Sequence, residues 1–291
     1  MAVTQAWTVA AASPDLSWTL DPGPILLAGG VVALYVPRWR RVRRELGPAE
    51  APVWRLLLAL TAALLLLAAL VSPLDVLAEQ SFSFHMTQHV ILLDLVPICL
   101  MLSVTKVLLR PLTRRLTAIE RAAGPFAHPA FAAAFYVLMM WLWHVPALYD
   151  AALDSATLHA VEHVCFLSAG LLYWWHLLSP IRSRFQHGAM GPLVYMLSTK
   201  LAVGILGIGL TFAPDPLYPY YEDRTPILGL TAGTDQQLAG AVMALEQTLV
   251  MGIALAYLLV RALEQSEREE RRRERLEDAA DEVSRDVSHG S

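Results

Sequence analysis

The segment SFHMTQHVILLDLVP, residues 83–97, places two histidines and one aspartate in an otherwise apolar run. His85 and His89 are four residues apart, so in a helix they share one face and lie about 6 Å apart along its axis. Asp94 follows five residues after His89, and a rotation of about 100° per residue directs it to another face. We therefore expect a central helix that contacts protein on two sides.

The composition around this segment is that of a multi-pass membrane protein. Of the 291 residues, 56% are hydrophobic and 16% are charged. About 20 apolar residues are needed to cross roughly 30 Å of hydrocarbon, and seven segments qualify: residues 22–39, 53–72, 84–105, 129–149, 158–178, 190–212 and 236–260. The sequence predicts an all-α integral membrane protein with a seven-transmembrane helical bundle over residues 22–262, between an N-terminal tail (1–21) and a charged C-terminal tail (263–291).

Arginines set the predicted orientation. They cluster in the connections after the first, third, fifth and seventh segments, whereas residues 73–80, 149–156 and 213–235 carry acids and a single arginine. By the positive-inside rule, the N-terminus is outside and the C-terminus is cytoplasmic. The charged tail lacks an apolar seam and is expected to be a solvated helix or disordered. The chain has no GxGxxG, Walker or GxSxG motif, so nucleotide and hydrolase chemistry are not expected, and no nucleic-acid partner is predicted.

Five of the nine histidines lie at the predicted outer ends of the third, fourth and fifth spans: His85, His89, His144, His159 and His163. Met140 precedes His144 by one helical turn and shares its face. Imidazole together with thioether favours Cu(I), whereas imidazole alone also suits Zn(II), Cu(II) or haem iron. The pattern predicts a metal site at the outer face. The alternative is a set of interface histidines that bond only to loops and headgroups.

A second polar group is predicted near the bilayer midplane. Asp94, Lys200 and Glu246 each lie ten residues inside a span, which corresponds to about 15 Å from its edge. An unpaired ionisable group there costs at least ~2.5 kcal/mol, so we expect Lys200 to pair with Asp94 or Glu246. Such a pair either fixes the helix register or belongs to a proton or ion path.

Several ordered motifs resemble one bacterial family. They are FHMTQH (84–89), MWLWHVPALYDAALDSATLHAVEH (140–163), LTFAPDPLYPYY (210–221) and TDQQLAGAVM (234–243). Over roughly residues 70–262 the chain resembles the CtaG-type cytochrome c oxidase assembly factors of the Caa(3)-CtaG family. The resemblance implies seven spans in the bacterial plasma membrane and a non-enzymatic role in assembling caa(3)-type oxidase, with copper supply as the expected contribution.

The resemblance also assigns residues. It places family elements on His85 and His89, on His144, on His159 and His163, and on Asp235, Gln236 and Gln237. We expect the five histidines to be copper ligands, and the helical spacing of Met140 from His144 adds a possible soft donor. Expected partners are oxidase subunits and membrane lipid, with the oligomeric state left open. Asp94 and Glu246 depart from the family pattern, so no midplane role is implied.

Two other functions compete with this interpretation. In a haem-bearing membrane redox protein, the axial histidines of one helix commonly lie about fourteen residues apart and both point inward. Here His163 and His176 are thirteen apart, and His128 and His144 are sixteen apart, so each pair is out of line. A transporter or channel would instead use the midplane charges.

Overall fold

The structure is a computed structural model that describes residues 13–181, 183–185, 191–222, 224 and 227–289. Residues 1–12 of the predicted N-terminal tail, residues 290–291 of the C-terminal tail and residues 223, 225 and 226 of the third acidic loop lie outside this described part. The α-helices are α1 (Pro22–Leu46), α2 (Val53–Leu70), α3 (Pro73–Gln80), α4 (Phe82–Val90), α5 (Val96–Ser103), α6 (Lys106–Leu109), α7 (Thr113–Ala123), α8 (Pro129–Trp143), α9 (Pro146–Leu153), α10 (Ala156–Leu178), α11 (Gly191–Phe212), α12 (Pro219–Glu222) and α13 (Ala232–His289). A π-helical turn (Ile91–Leu95) joins α4 to α5, and a 3₁₀ turn (Gly124–Ala127) precedes α8.

The helices have the length and hydropathy of a membrane protein. Within the described residues, three continuous stretches suffice to cross a bilayer: Val53–Leu70, Phe82–Ser103 and Gly191–Phe212. Two bent pairs raise the number to five, namely Thr113–Ala127 with Pro129–Trp143, bent by 67°, and Pro146–Leu153 with Ala156–Leu178, bent by 118°. The chain is therefore an all-α membrane protein. Each of the seven predicted segments overlaps a helix, and the number of spans stays a prediction.

The fourth predicted segment, residues 129–149, ends earlier than expected. Helix α8 stops at Trp143, and Pro146 opens the separate helix α9. Proline lacks an amide hydrogen and disfavours the helical conformation of the residue before it, so α8 cannot continue through this point. His144 therefore lies at the C-terminal end of α8 and not inside a helix.

The last helix extends beyond the predicted membrane segment. Helix α13 continues from Ala232 to His289, so the described part of the charged tail is helical. Exposed ion pairs four residues apart join Arg268 to Glu264 and Arg271 to Glu267. Such pairs support an isolated helix only weakly.

The π-helical turn at Ile91–Leu95 changes the geometry of the central helix. A π turn holds about one residue more than an α turn, so the angle of 100° per residue does not apply between His89 and Asp94. Both side chains line one small cavity, although Asp94 accepts its hydrogen bonds from Tyr136 and Trp174 and not from the histidines. Gly170 of α10 packs directly on the carbonyl of Leu93 in this turn, where a Cβ atom would overlap the carbonyl oxygen.

Short helices close one end of the bundle, which we call the histidine end: α3, α9 and α12 together with the first turns of α4 and α10. The Tyr149 hydroxyl lies 3.0 Å from the Tyr221 hydroxyl. Tyr221 also donates to the Ala78 carbonyl at 2.9 Å. These bonds tie α3, α9 and α12 into one roof over α4.

Arginines hold the opposite end, which we call the arginine end: α6, α7 and the C-terminal part of α5. Arg38 donates to the carbonyls of Val107 and Leu108 at 2.6 and 3.0 Å. Arg55 donates to the carbonyl of Leu102 at 2.6 Å. These bonds satisfy backbone oxygens that a helix end leaves without partners.

Candidate metal centre

Four of the predicted histidines lie together at the histidine end, two on each of two helices. His85 and His89 come from α4, and His159 and His163 come from α10. The Nε2 atoms of His85 and His89 are 2.8 Å apart. The ring centroids of His85 and His159 are 5.2 Å apart, and those of His89 and His163 are 6.0 Å apart. We call these four residues the histidine cluster.

Glu162 joins this cluster, and sequence reasoning missed it. It lies between His159 and His163 on the face of α10 that they share. Its carboxylate oxygens are 3.5 Å from His89 Nε2 and 3.9 Å from His85 Nε2. The side chain is fully buried, and neither oxygen accepts a hydrogen bond from any part of the chain that the structure describes. The signal available in the sequence was an acid in an apolar segment, three residues after a histidine.

A buried carboxylate with no hydrogen-bond donor is unfavourable by several kcal/mol unless a cation or a proton accompanies it. Ligand atoms of His85, His159 and Glu162 all lie within 4.8 Å of one another, which is the spacing of groups that share one metal ion. Two nitrogens bound to a tetrahedral metal lie about 3.3 Å apart. Small rotations of His85 and His89 from their 2.8 Å separation would therefore admit an ion.

His144 lies beside the cluster at the end of α8, with its ring centroid 6.5 Å from that of His89. Its Nδ1 atom is 2.6 Å from the Met140 carbonyl oxygen, and its Nε2 atom is 3.2 Å from Met86 Sδ. The predicted soft donor Met140 thus holds His144 through its backbone. Met86, which the sequence analysis did not single out, supplies the sulfur next to the imidazole.

Aromatic side chains of the family-like LTFAPDPLYPYY motif and of α9 cover the cluster. The ring of Tyr149 is 5.0 Å from that of His85, and Tyr218 donates to the His144 carbonyl at 3.1 Å. His85 is 0% exposed as a result. The roof therefore shields His85, whereas His159 and His163 are half-buried.

The three outer polar residues predicted near the last span do not reach the cluster as ligands. Asp235 accepts hydrogen bonds from the Ser81 hydroxyl at 2.8 Å and from the next two backbone N–H groups at 2.6 and 3.1 Å. It therefore caps the start of α4 from a different helix. Gln236 accepts from the Leu217 N–H at 2.7 Å, and Gln237 is exposed. The first two residues position the histidine end.

Gln88 holds the roof helix α3 on α4. It lies on the same face of α4 as His85, and its side-chain amide donates a hydrogen bond to the Asp75 carboxylate at 2.7 Å. Burial raises the pKa of Asp75 to about 6, an effect that the hydrogen bond from Gln88 only partly offsets. The charge on Asp75 therefore changes in mildly acidic solution.

The midplane charges form a separate network. Asp94 accepts from Tyr136 at 2.8 Å and from the Trp174 indole at 2.7 Å, and Lys200 lies 3.7 Å from Asp94. Lys200 also donates to the Tyr136 hydroxyl at 2.5 Å. Glu246 accepts a hydrogen bond from the side-chain amide of Gln247 at 2.8 Å. Three side chains thus hold the Asp94 carboxylate in place, which is consistent with a structural role for it.

One comparison with known proteins identifies a family. The family model described as cytochrome c oxidase caa3 assembly factor (Caa3_CtaG) matches residues 33–265, which is most of the chain. Searches of curated proteins and of solved structures found no match. The chain belongs to the Caa3_CtaG family of cytochrome c oxidase assembly factors.

Proposed function

We propose that the protein is a non-enzymatic assembly factor that binds copper in the histidine cluster and delivers it to a subunit of a caa(3)-type cytochrome c oxidase. The observation that carries this proposal is the position of Glu162. Its buried carboxylate faces the Nε2 atoms of His85 and His89 at 3.9 and 3.5 Å, with no hydrogen-bond donor among the described residues.

Burial distinguishes this arrangement from histidines that only face an interface. Interface histidines keep their ring nitrogens toward water, loops or headgroups. Here His85 and Glu162 are 0% exposed and His89 is 2% exposed. Buried imidazole nitrogens beside a buried carboxylate are the ligand set of a metal site. The ion would supply the positive charge that balances the carboxylate.

The ligand types support copper as the cargo. Imidazole nitrogens with one carboxylate oxygen suit Cu(II) or Zn(II). Cytochrome c oxidase contains copper centres, and the family has its role in the assembly of that enzyme. An assembly factor that binds copper and transfers it to the oxidase would account for both facts.

The predicted topology gives the delivery its direction. A seven-span chain with an outer N-terminus in the bacterial plasma membrane places the histidine end outside and the arginine end in the cytoplasm. The copper centres of the oxidase are reached from the outer side. The histidine end would therefore face the site that receives the metal.

Two observations disfavour the competing functions. His128, one member of a potential haem-ligand pair, is exposed, and its Nδ1 accepts from the Ala130 N–H at 3.1 Å as a helix cap. Asp94, which a transporter would use, is held by Tyr136, Trp174 and Lys200. The His128 imidazole and the Asp94 carboxylate are thus both engaged in contacts that stabilise the fold.

The experiment is the measurement of copper bound per mole of purified protein. The double variant His85→Ala with His89→Ala is expected to bind about tenfold less copper than wild type, since two ligands are lost. His128→Asn is the matched control, because it removes an imidazole at the arginine end and keeps a residue that caps helices well. Equal copper in all three proteins would overturn the ligand assignment.

A cellular measurement tests the delivery itself. In a strain that lacks the protein, oxidase activity should fall, and added copper should restore part of it. The gene for His128→Asn should restore activity fully, whereas the gene for the double histidine variant should not. Full restoration by the double variant would separate oxidase assembly from the histidine cluster.

A further inference from the structure

His144 and Met86 form a donor pair that differs from the histidine cluster. The Nδ1 atom of His144 lies 2.6 Å from the Met140 carbonyl oxygen, which can only accept a hydrogen bond. A neutral His144 must therefore carry its proton on Nδ1, and its Nε2 atom presents a lone pair. That lone pair faces the Met86 thioether sulfur at 3.2 Å, and sulfur has no proton to offer. Two electron-pair donors thus face each other with no proton between them.

A small cavity borders Met86, one member of this pair. Met140, Met243 and His89 line it with Met86, and so do Asp94 and Glu246. The three methionines come from α4, α8 and α13 and are only 1%, 5% and 3% exposed. Methionines from three separate helices therefore line one small cavity.

Methionine often fills irregular gaps in a core without any further role. Packing explains why three flexible side chains occupy this space. It does not explain the orientation of His144, whose free nitrogen faces a sulfur. A soft monovalent cation between the two atoms would satisfy both of them at once.

We infer that His144, Met86, Met140 and Met243 form a Cu(I) site adjacent to the histidine cluster. Imidazole and thioether are ligands that suit Cu(I), whereas the nitrogen and oxygen ligands of His85, His159 and Glu162 suit a divalent ion. The ligands of the inferred site are neutral side chains. This inference rests on the proposed function for the statement that copper is the cargo.

The test uses purified full-length protein in detergent, loaded with Cu(I) without oxygen and titrated with a chelator that is selective for Cu(I). Copper X-ray absorption of the same samples reports sulfur in the coordination shell. Met86→Leu removes the sulfur and nearly conserves the volume, so the fold is expected to persist. Met139→Leu is the matched control, because Met139 is buried on α8 but does not line the cavity.

The expected result is sulfur bound to copper in wild type and in Met139→Leu, with a reduced sulfur signal and about tenfold weaker Cu(I) binding in Met86→Leu. Zinc binding in all three proteins should be equal, since Met86 is not a ligand of the histidine cluster. Copper bound only by nitrogen or oxygen in wild type would overturn this inference and leave the proposed function standing. Sulfur-bound copper should persist when His85 and His89 are replaced, since neither is a ligand of the inferred site, and its loss in that variant would contradict a site separate from the histidine cluster.

Discussion

In the proposed metal centre, Glu162 would determine which ions the histidine cluster holds. Four neutral imidazoles would bind a metal without offsetting its charge, whereas the carboxylate adds one negative charge within 3.9 Å of two of them. Around the cluster, other single residues fix its geometry and do not bind the ion. Asp235 and Asp75 are the two whose contacts give measurable consequences.

Asp235→Ala should loosen the start of α4. The change removes the acceptor of three hydrogen bonds from Ser81 and the two residues that follow it. Loss of a helix cap costs about 1–2 kcal/mol, so the midpoint of thermal unfolding in detergent should fall, and copper affinity should fall with it. Asp215→Ala, which changes an exposed acid near the same end, is the control. Equal unfolding midpoints would show that the cap is dispensable.

Asp75→Asn should change how stability depends on pH. The pKa of Asp75 is raised to about 6 in the folded protein, chiefly by burial, against about 3.9 for an unfolded aspartate. The folded state therefore binds more protons between these values, and the contribution of Asp75 to stability is present below about pH 4 and lost as the pH rises to about 6. Unfolding midpoints of the variant should fall less than those of wild type over this range. Parallel curves would contradict the raised pKa.

The sequence allowed some of these residues to be predicted and not others. The spacing of His85 with His89 and of His159 with His163 placed each pair on one face, and topology brought both pairs to one end. Glu162 was missed because the search for ligands weighed histidines and treated carboxylates as scarce at this depth. Its contacts depend on how α10 packs against α4, which helical periodicity within one segment does not describe.

At the scale of elements, the positions of the helices were predictable from apolar length, but the π turn was not. Ile91–Leu95 is as apolar as the α-helix around it, apart from Asp94, so periodicity gives no sign of the extra residue in that turn. The turn lets Asp94 share a cavity with His89. It packs against α10 at Gly170, where the two backbones are closest.

Gly170→Ala should therefore disturb the central helix. The new Cβ atom would overlap the Leu93 carbonyl, and backbone cannot move aside as a flexible side chain can. We expect a loss of about 1–3 kcal/mol in the free energy of unfolding. Gly204→Ala, at a helical position with open space around it, should be neutral or stabilising by up to about 1 kcal/mol. Chemical denaturation in detergent compares the two variants, and equal losses would contradict the close packing.

The two ends of the whole molecule differ in their polar contacts. Arginines at the arginine end bond to backbone carbonyls, and the histidine end holds buried ligands beneath an aromatic roof. The midplane network of Asp94, Tyr136 and Lys200 lies between them. Delivery to an oxidase requires that the histidine end face outward.

Cysteine labelling tests this orientation. In a background with Cys99→Ser and Cys165→Ser, an impermeant thiol reagent added to intact cells should label Asp154→Cys, which is exposed beside the histidine end. Ser266→Cys, exposed on the C-terminal part of α13, should be labelled only after the membrane is made permeable. The opposite pattern would reverse the topology and place the cluster on the cytoplasmic side.

The most direct test of the central claim is the affinity of purified protein for Cu(II) in wild type, Glu162→Gln and Glu79→Gln. Glutamine keeps the shape of residue 162 and removes its charge, while Glu79 is an exposed acid at the same end of the molecule. The account predicts about tenfold or greater loss of affinity in Glu162→Gln alone. Equal Cu(II) affinity in all three proteins would contradict a metal centre built around Glu162.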